Sequence, residues 1–260
     1  MLKTNYHTHS TFCDGKDTPE EMVRCAIEKG FDIIGFSGHG YVEGSTYAMT
    51  RENTEKYIKE VNRLKAVYKD KIKVLCGLEA DIMSKFDRSR FDYLIGSVHD
   101  VERDGKLYPV DSSPAHFERA IEAFDGDVYA LIENYYKRIK DVIKVTGADM
   151  IGHFDLVTKF NENGKYFSEE DERYLRPLRE ALEALIDEGV PFEINTGAMA
   201  RGWKSAPYPA LPVMERILER GGKFVLNSDC HDKNKLDYAF DCVESMPIYE
   251  RLKQSIVYIK

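Results

Sequence analysis

Two histidines one residue apart open the chain. In Leu2-Lys3-Thr4-Asn5-Tyr6-His7-Thr8-His9, an extended backbone sends alternate side chains to opposite faces, so His7 and His9 point the same way. Two imidazoles leaving one side of a strand end make half of a metal site. An ordinary first strand would also carry the pair, so the positions of the other histidines matter. His39 lies between Gly38 and Gly40, His99 follows Ser97-Val98, His153 follows Gly152, and His231 closes Ser228-Asp229-Cys230-His231. Each stands at or just past the end of a short apolar run. Glu79 does so after Val74-Leu75-Cys76-Gly77-Leu78, and Asp229 after Phe224-Val225-Leu226-Asn227. Singly, each has an innocuous reading: His39 as a turn residue, His153 bonded to a carbonyl, Glu79 as a surface charge, Asp229 as a helix cap.

The elements that carry these residues alternate. Thr18-Pro19-Glu20-Glu21 reads as a helix start, with Thr as cap, Pro in the first turn and acids beside it, and Gly30 ends that helix. Phe31 to Ser37 is a buried strand that delivers His39. Arg51 to Tyr68 is helical by its apolar spacing, Lys73 to Leu78 is a strand leading to Glu79, and Phe91 to Val98 is a strand leading to His99. A helical stretch from Pro114 to Thr146 breaks near Asp125-Gly126-Asp127. Met150-Ile151-Gly152 is a short strand before His153. Glu169 to Glu188 is a long helix that Pro177 should kink or split. Val190 to Ile194 and Lys223 to Asn227 are strands separated by a helix over Leu211 to Arg220, and Ile256 to Ile259 is a closing strand or a packed tail. About seven strand-plus-helix units imply parallel strands, most simply arranged as a closed or nearly closed barrel.

In such a barrel the C-terminal strand ends share one face, where these folds do their chemistry. His7, His9, His39, Glu79, His99, His153, Asp229 and His231 therefore meet. Asp14, in the loop after His9, extends the set to nine candidate ligands. Their chance arrival from separate strands is a poorer explanation than a shared metal cluster. Nine donors are too many for one tetrahedral ion, so two or three ions must share them, and Glu79 is a natural bridge. Imidazole and carboxylate without organised thiolates suit zinc, manganese or iron. His116, in a helix near Pro114, is expected to face solvent instead.

The bulk properties narrow the class. A 260-residue chain that is 43% hydrophobic and 32% charged can bury a sizeable core as a single domain over residues 1–260. The net charge of -8 argues against a nucleic-acid partner and an anionic membrane. It leaves room for an anionic small substrate, because bound cations invert the local field. No apolar run reaches the roughly 20 residues that span a bilayer, and no signal-peptide pattern opens the chain. Five cysteines of irregular spacing read as reduced thiols in a cytoplasmic protein. Two of them, Cys13 and Cys230, lie beside candidate ligands.

The ordered set His7-x-His9, Asp14, Gly38-His39-Gly40, Gly77-Leu78-Glu79, Ser97-Val98-His99, Gly152-His153 and Ser228-Asp229-Cys230-His231 resembles the PHP (polymerase and histidinol phosphatase) family over nearly the whole chain. The His-x-His-Ser-x-Phe-Cys-Asp-Gly opening and the stretch Phe154 to Phe160 look most like its stand-alone histidinol-phosphatase branch. The resemblance implies a distorted (β/α)7 TIM-like barrel and a trinuclear centre. In that likeness His7, His9, Glu79 and Asp229 hold one ion. Glu79, His99 and His153 hold the second, with Glu79 bridging, and Asp14, His39 and His231 hold the third. Some relatives carry His at the Asp14 position.

Such a centre suits phosphate ester hydrolysis. Paired ions supply hydroxide near neutral pH for in-line attack on phosphorus and neutralise the phosphoryl oxygens. Lys159 and Arg201, both past strand ends, are candidates for a phosphate clamp, with Arg103 a third. Asp229 or His231 could protonate the leaving alkoxide. The branch implies a phosphomonoesterase acting on L-histidinol phosphate in histidine biosynthesis. Another small phosphate ester or a nucleotide is an alternative substrate, and a polymerase-associated proofreading or metal-binding module is an alternative class. Neither the oligomeric state nor the residues that recognise the alcohol half can be read from the sequence.

Overall fold

The computed structural model describes residues 1–259. Seven parallel strands form a nearly closed barrel with helices around it. The strands that build it and the helices between them follow in chain order. Strand β1 (Thr4–Asn5) leads to α1 (Pro19–Glu28), β2 (Ile33–Phe36), α2 (Arg51–Val67), β3 (Lys73–Asp81) and β4 (Tyr93–Ser97). Next come β5 (Asp100–Arg103), β6 (Lys106–Pro109), α3 (Pro114–Ala123), α4 (Val128–Ile139) and α5 (Val142–Thr146). The second half holds β7 (Met150–Ile151), α6 (Glu172–Asp187), β8 (Phe192–Asn195), α7 (Gly197–Ala200) and α8 (Leu211–Glu219). Strand β9 (Phe224–Asn227), α9 (Phe240–Glu244) and α10 (Tyr249–Ser255) complete it. The barrel order is β1-β2-β3-β4-β7-β8-β9, every pair parallel. No helix among the described residues is long and apolar enough to cross a membrane.

The seam between the first and last strands is thin. One parallel bridge joins Thr8 to Cys230. The His9 N–H donates to the Cys230 carbonyl (2.9 Å), and the Tyr6 N–H donates to Asn227 Oδ1 (2.7 Å). Strand β1 is only two residues long, so His7 and His9 sit just beyond it rather than within it. Backbone groups at the barrel's rim are thus tied down by side chains, which keeps the seam closed where ladder bonds run out.

Under the rim the barrel is plugged by side chains. Tyr6, Ile33, Leu75, Tyr93, Ile95, Met150 and Val225 form one buried cluster, against which Val257 and Ile259 pack from below. Tyr93 is fully buried, and its hydroxyl donates to the carbonyls of Tyr6 and Phe36. Its ring occupies the space above Gly77, where any Cβ would collide with it. The C-terminal segment is a packed tail with a single bridge, Ile256 to Phe224, and not a full eighth strand.

Helix α1 starts as its sequence dictates. Thr18 and Glu21 exchange a reciprocal capping box, Pro19 occupies the first turn, and Met22, Val23 and Ala26 are buried. One expectation is corrected. Pro177 lies inside a single continuous α6. One lost backbone bond is outweighed there by an apolar face, Tyr174, Leu178, Ala181, Leu182 and Leu185, buried against the core. The segment after His99, to which the sequence pattern assigns no element, folds into the antiparallel hairpin β5–β6. Asp104 and Gly105 turn it with φ of 52° and 74°, the two-residue turn that an Asp-Gly pair favours.

Candidate metal centre

All nine candidate ligands converge at the C-terminal end of the barrel. Parallel strands deliver them from positions up to 224 residues apart, from His7 to His231. His7 and His9 are fully buried and form the floor. Asp14, His39, Glu79, His99, His153, Asp229 and His231 line an open cavity of about 600 Å³ above them. Four buried donor atoms here, His7 Nε2, His9 Nε2, Glu79 Oε2 and His153 Nδ1, have no hydrogen-bond partner. An unsatisfied buried polar atom costs about 1–3 kcal/mol, so several in one place call for a ligand.

The spacings suit shared cations. Two donors each about 2.1 Å from one tetrahedral ion stand roughly 3.4 Å apart. His7 Nε2 lies 3.3 Å from Glu79 Oε2 and 3.7 Å from Asp229 Oδ1. His9 Nε2 lies 3.5 Å and 3.2 Å from the same two oxygens. Glu79 Oε1 faces His153 Nε2 (2.9 Å) and His99 Nε2 (3.1 Å). Asp14 faces His231 Nε2 (3.2 Å), His9 Nδ1 (3.6 Å) and His39 Nε2 (3.7 Å). Glu79, fully buried between these groups, therefore touches both deeper sets, and His39 Nδ1 approaches it as well (2.8 Å). The donors fit divalent ions.

Electrostatics treats the donors unequally: against burial, Glu193 and Glu79 hold the His7 imidazole well above its usual range, and Glu79 and Asp81 do the same to His99, positive charge that bound cations would replace. Burial drives the His9 imidazole down to about 3, with His231 and His39 adding to the effect, so it is neutral with a lone pair to offer. Burial opposes ionisation of Glu79, but the imidazoles of His7, His39 and His99 hold it well below the usual carboxylate range. Asp229 is held down likewise against burial, by Arg201 and then His7.

Supporting residues invisible in the spacing complete the centre. Glu193 Oε1 lies 2.6 Å from His7 Nδ1 and accepts from Asn227 Nδ2 (2.9 Å). Its other oxygen accepts from the His153 N–H and from Asn195 Nδ2, both at 2.9 Å. Asp81 Oδ2 lies 3.1 Å from His99 Nδ1 and accepts the His99 N–H (2.9 Å). These carboxylates turn Nε2 of each ring toward the cavity. The available signal was a lone acid within an apolar strand, Phe192-Glu193-Ile194.

The cations are distributed unevenly. Arg201 lines the cavity, with Nη2 donating to Asp229 Oδ2 (2.9 Å) and Nη1 3.1 Å from His231 Nδ1. Lys159 also lines it, but its ammonium donates to the Asp111 carbonyl (2.6 Å) and faces the Asp111 carboxylate (3.3 Å). Arg103 is elsewhere: it sits on the exposed hairpin, pairs with Asp125 (3.1 Å) and packs on Phe124. Lys16 and Lys235, both in loops, line the cavity too. His116 is a correction. It is half-buried on the cavity wall, its Nδ1 3.0 Å from the Ser113 hydroxyl, because the hairpin carries the start of α3 onto the rim. Beside the ligands, Tyr47 packs edge-on to His39 (centroids 4.8 Å), and its hydroxyl stands 3.5 Å from Asp100 Oδ2. Burial, then Asp81, pushes the Asp100 carboxyl up to about 6.

Known proteins resemble this chain in sequence and fold. The PHP domain model matches residues 5–197. The histidinol-phosphatase of Lactococcus lactis subsp. lactis is 30% identical over 247 residues, covering 89% of this chain and 85% of the relative. A solved structure from Listeria monocytogenes, assigned as a histidinol phosphatase, superposes with a TM-score of 0.82 at 22% identity, covering 92% of this chain and 99% of that one. The Lactococcus lactis histidinol phosphate phosphatase, solved with zinc, L-histidinol and phosphate, gives 0.69 at 24% identity over 97% and 93%. At those identities the two structures bear on the fold, and the PHP domain match takes in seven of the nine candidate ligands, all but Asp229 and His231. The chain belongs to the PHP domain family.

Proposed function

We propose that this chain is a metal-dependent phosphomonoesterase that hydrolyses L-histidinol phosphate to L-histidinol and phosphate, a step of histidine biosynthesis. The convergence of nine imidazole and carboxylate groups on one cavity, four of their atoms buried without a partner, carries the chemical half of this reading. The 30% identical histidinol-phosphatase supports the substrate.

His7, His9, Glu79 and Asp229 hold a first ion. Glu79, His99 and His153 hold a second, and Asp14, His39 and His231 a third. Bound divalent ions, zinc, manganese or iron, supply an activated water and neutralise charge on the phosphoryl group. The chain's own residues do the rest. Arg201, preset by Asp229, presents a planar fork at the cavity edge for a phosphoryl oxygen. Lys159 contributes less, because Asp111 offsets its charge, and Arg103 is out of reach. Asp229, held ionised, has no proton to give the leaving alkoxide. His231 Nδ1 lies 3.1 Å from both Arg201 Nη1 and the Asp229 carbonyl oxygen, and its Nε2 can carry a proton only when that nitrogen is not a ligand. Five free thiols fit a cytoplasmic setting.

A substrate panel tests the reading. The value of kcat/KM for L-histidinol phosphate should exceed those for nucleotides and a generic aryl phosphate by at least about tenfold. Equal values would leave a phosphatase of other specificity.

A further inference from the structure

The cavity holds more carboxylates than its ligand set uses, and all but one face a cationic or imidazole nitrogen within 4 Å. Asp14, Glu79 and Asp229 face histidines. Asp111 faces Lys159 at 3.3 Å, and Asp232 faces Lys16 at 3.5 Å. Asp100 is the exception among the described residues. It is 9% exposed and lines the cavity. Its Oδ2 has only the Tyr47 hydroxyl, at 3.5 Å, and its Oδ1 has no partner. Arg138, on the neighbouring α4, gives Nη1 to Glu102 (3.1 Å); it and His99 act on Asp100 through space, and neither forms an ion pair with it. A carboxylate this deeply buried without a cation is costly. The cost is offset when the cation arrives with the ligand.

Resting on the proposed function, we infer that Asp100 binds the primary ammonium group of the substrate's alcohol half and so determines specificity for phosphorylated amino alcohols. The cavity has the polarity for it. Arg201 stands at the Asp229 and His231 edge of the ligand cluster and takes the phosphate. Asp100 and Tyr47 stand at the His39 and His99 edge, where Asp100 offers a free oxygen and the Tyr47 ring forms a wall suited to a cation. The hairpin fixes the carboxylate in place, since Asp100 pairs with Pro109 at its base and the Val110 N–H donates to the His99 carbonyl (2.9 Å). A nucleotide or aryl ester brings no ammonium and leaves Asp100 uncompensated, which discriminates against it.

The test uses the metal-loaded enzyme and two inhibitors, L-histidinol and the same alcohol lacking the amino group, 3-(imidazol-4-yl)propan-1-ol. L-Histidinol should bind the wild type roughly 10- to 100-fold more tightly, the size of a hydrogen bond to a charged group. In Asp100→Asn that advantage should shrink to within about threefold. The ratio of kcat/KM for L-histidinol phosphate to that for an aryl phosphate should fall by about tenfold or more, chiefly through KM. Equal binding of the two alcohols by the wild type overturns the inference whether or not the variant folds or keeps its metals. So does a variant that keeps the ratio. Loss of the substrate preference in the wild type itself would instead count against the proposed function.

Discussion

Glu193 holds its place through four partners: the His7 ring, the His153 backbone N–H and the amides of Asn195 and Asn227. It orients one ligand and anchors the backbone of another, so its influence reaches the metals without contact. Glu193→Gln keeps the shape but replaces an acceptor oxygen with a donor. We expect metal affinity to fall roughly 10- to 100-fold while the circular dichroism spectrum is unchanged; chelator competition measures it, and wild-type affinity would show that His7 needs no such partner. The candidate ligands were legible because each, Asp14 apart, stands at or just past the end of an apolar run. Glu193 was not, because an acid inside a strand announces burial without naming its partner. His116 was misplaced for a related reason: helical spacing says which residues share a face, not what a neighbouring hairpin brings against it.

At the scale of elements, the rim depends on what lies beneath it. Strand β3 carries Gly77 two residues before Glu79, and the Tyr93 ring of β4 fills the space a side chain at Gly77 would take. Gly77→Ala should cost about 1–3 kcal/mol, seen as a lower denaturation midpoint with unchanged slope. A midpoint equal to wild type would mean that Tyr93 moves freely aside. Strand and helix alternation was readable from periodicity, which is why the barrel could be anticipated. The β5–β6 hairpin was not anticipated, although Asp104-Gly105 carries a turn signal, because the strands beside it are only four residues long. Pro177 misled in the other direction: one missing N–H weighs less than five buried side chains on the same helix.

The whole molecule is a scaffold that gathers acids and imidazoles from both ends of the sequence onto one mouth. Its overall charge of -8 would oppose an anionic substrate, and a bound set of cations reverses that locally. The cations should also support the fold, because they bind only when the strands are in register. Removing them with a chelator is expected to lower the melting temperature, by an amount set by about 2.7 kcal/mol for an ion held at 100 times its Kd. An unchanged melting temperature would mean that the barrel is indifferent to what its mouth holds.

The most direct measurement is elemental analysis of the purified chain, before and after replacement of Glu79 by alanine. Two to three divalent ions per chain, falling by at least about one in Glu79→Ala together with loss of phosphatase activity, is the expected result. Fewer than one ion per active wild-type chain, or a Glu79→Ala variant with the same metal content and turnover, would contradict a shared cluster centred on Glu79.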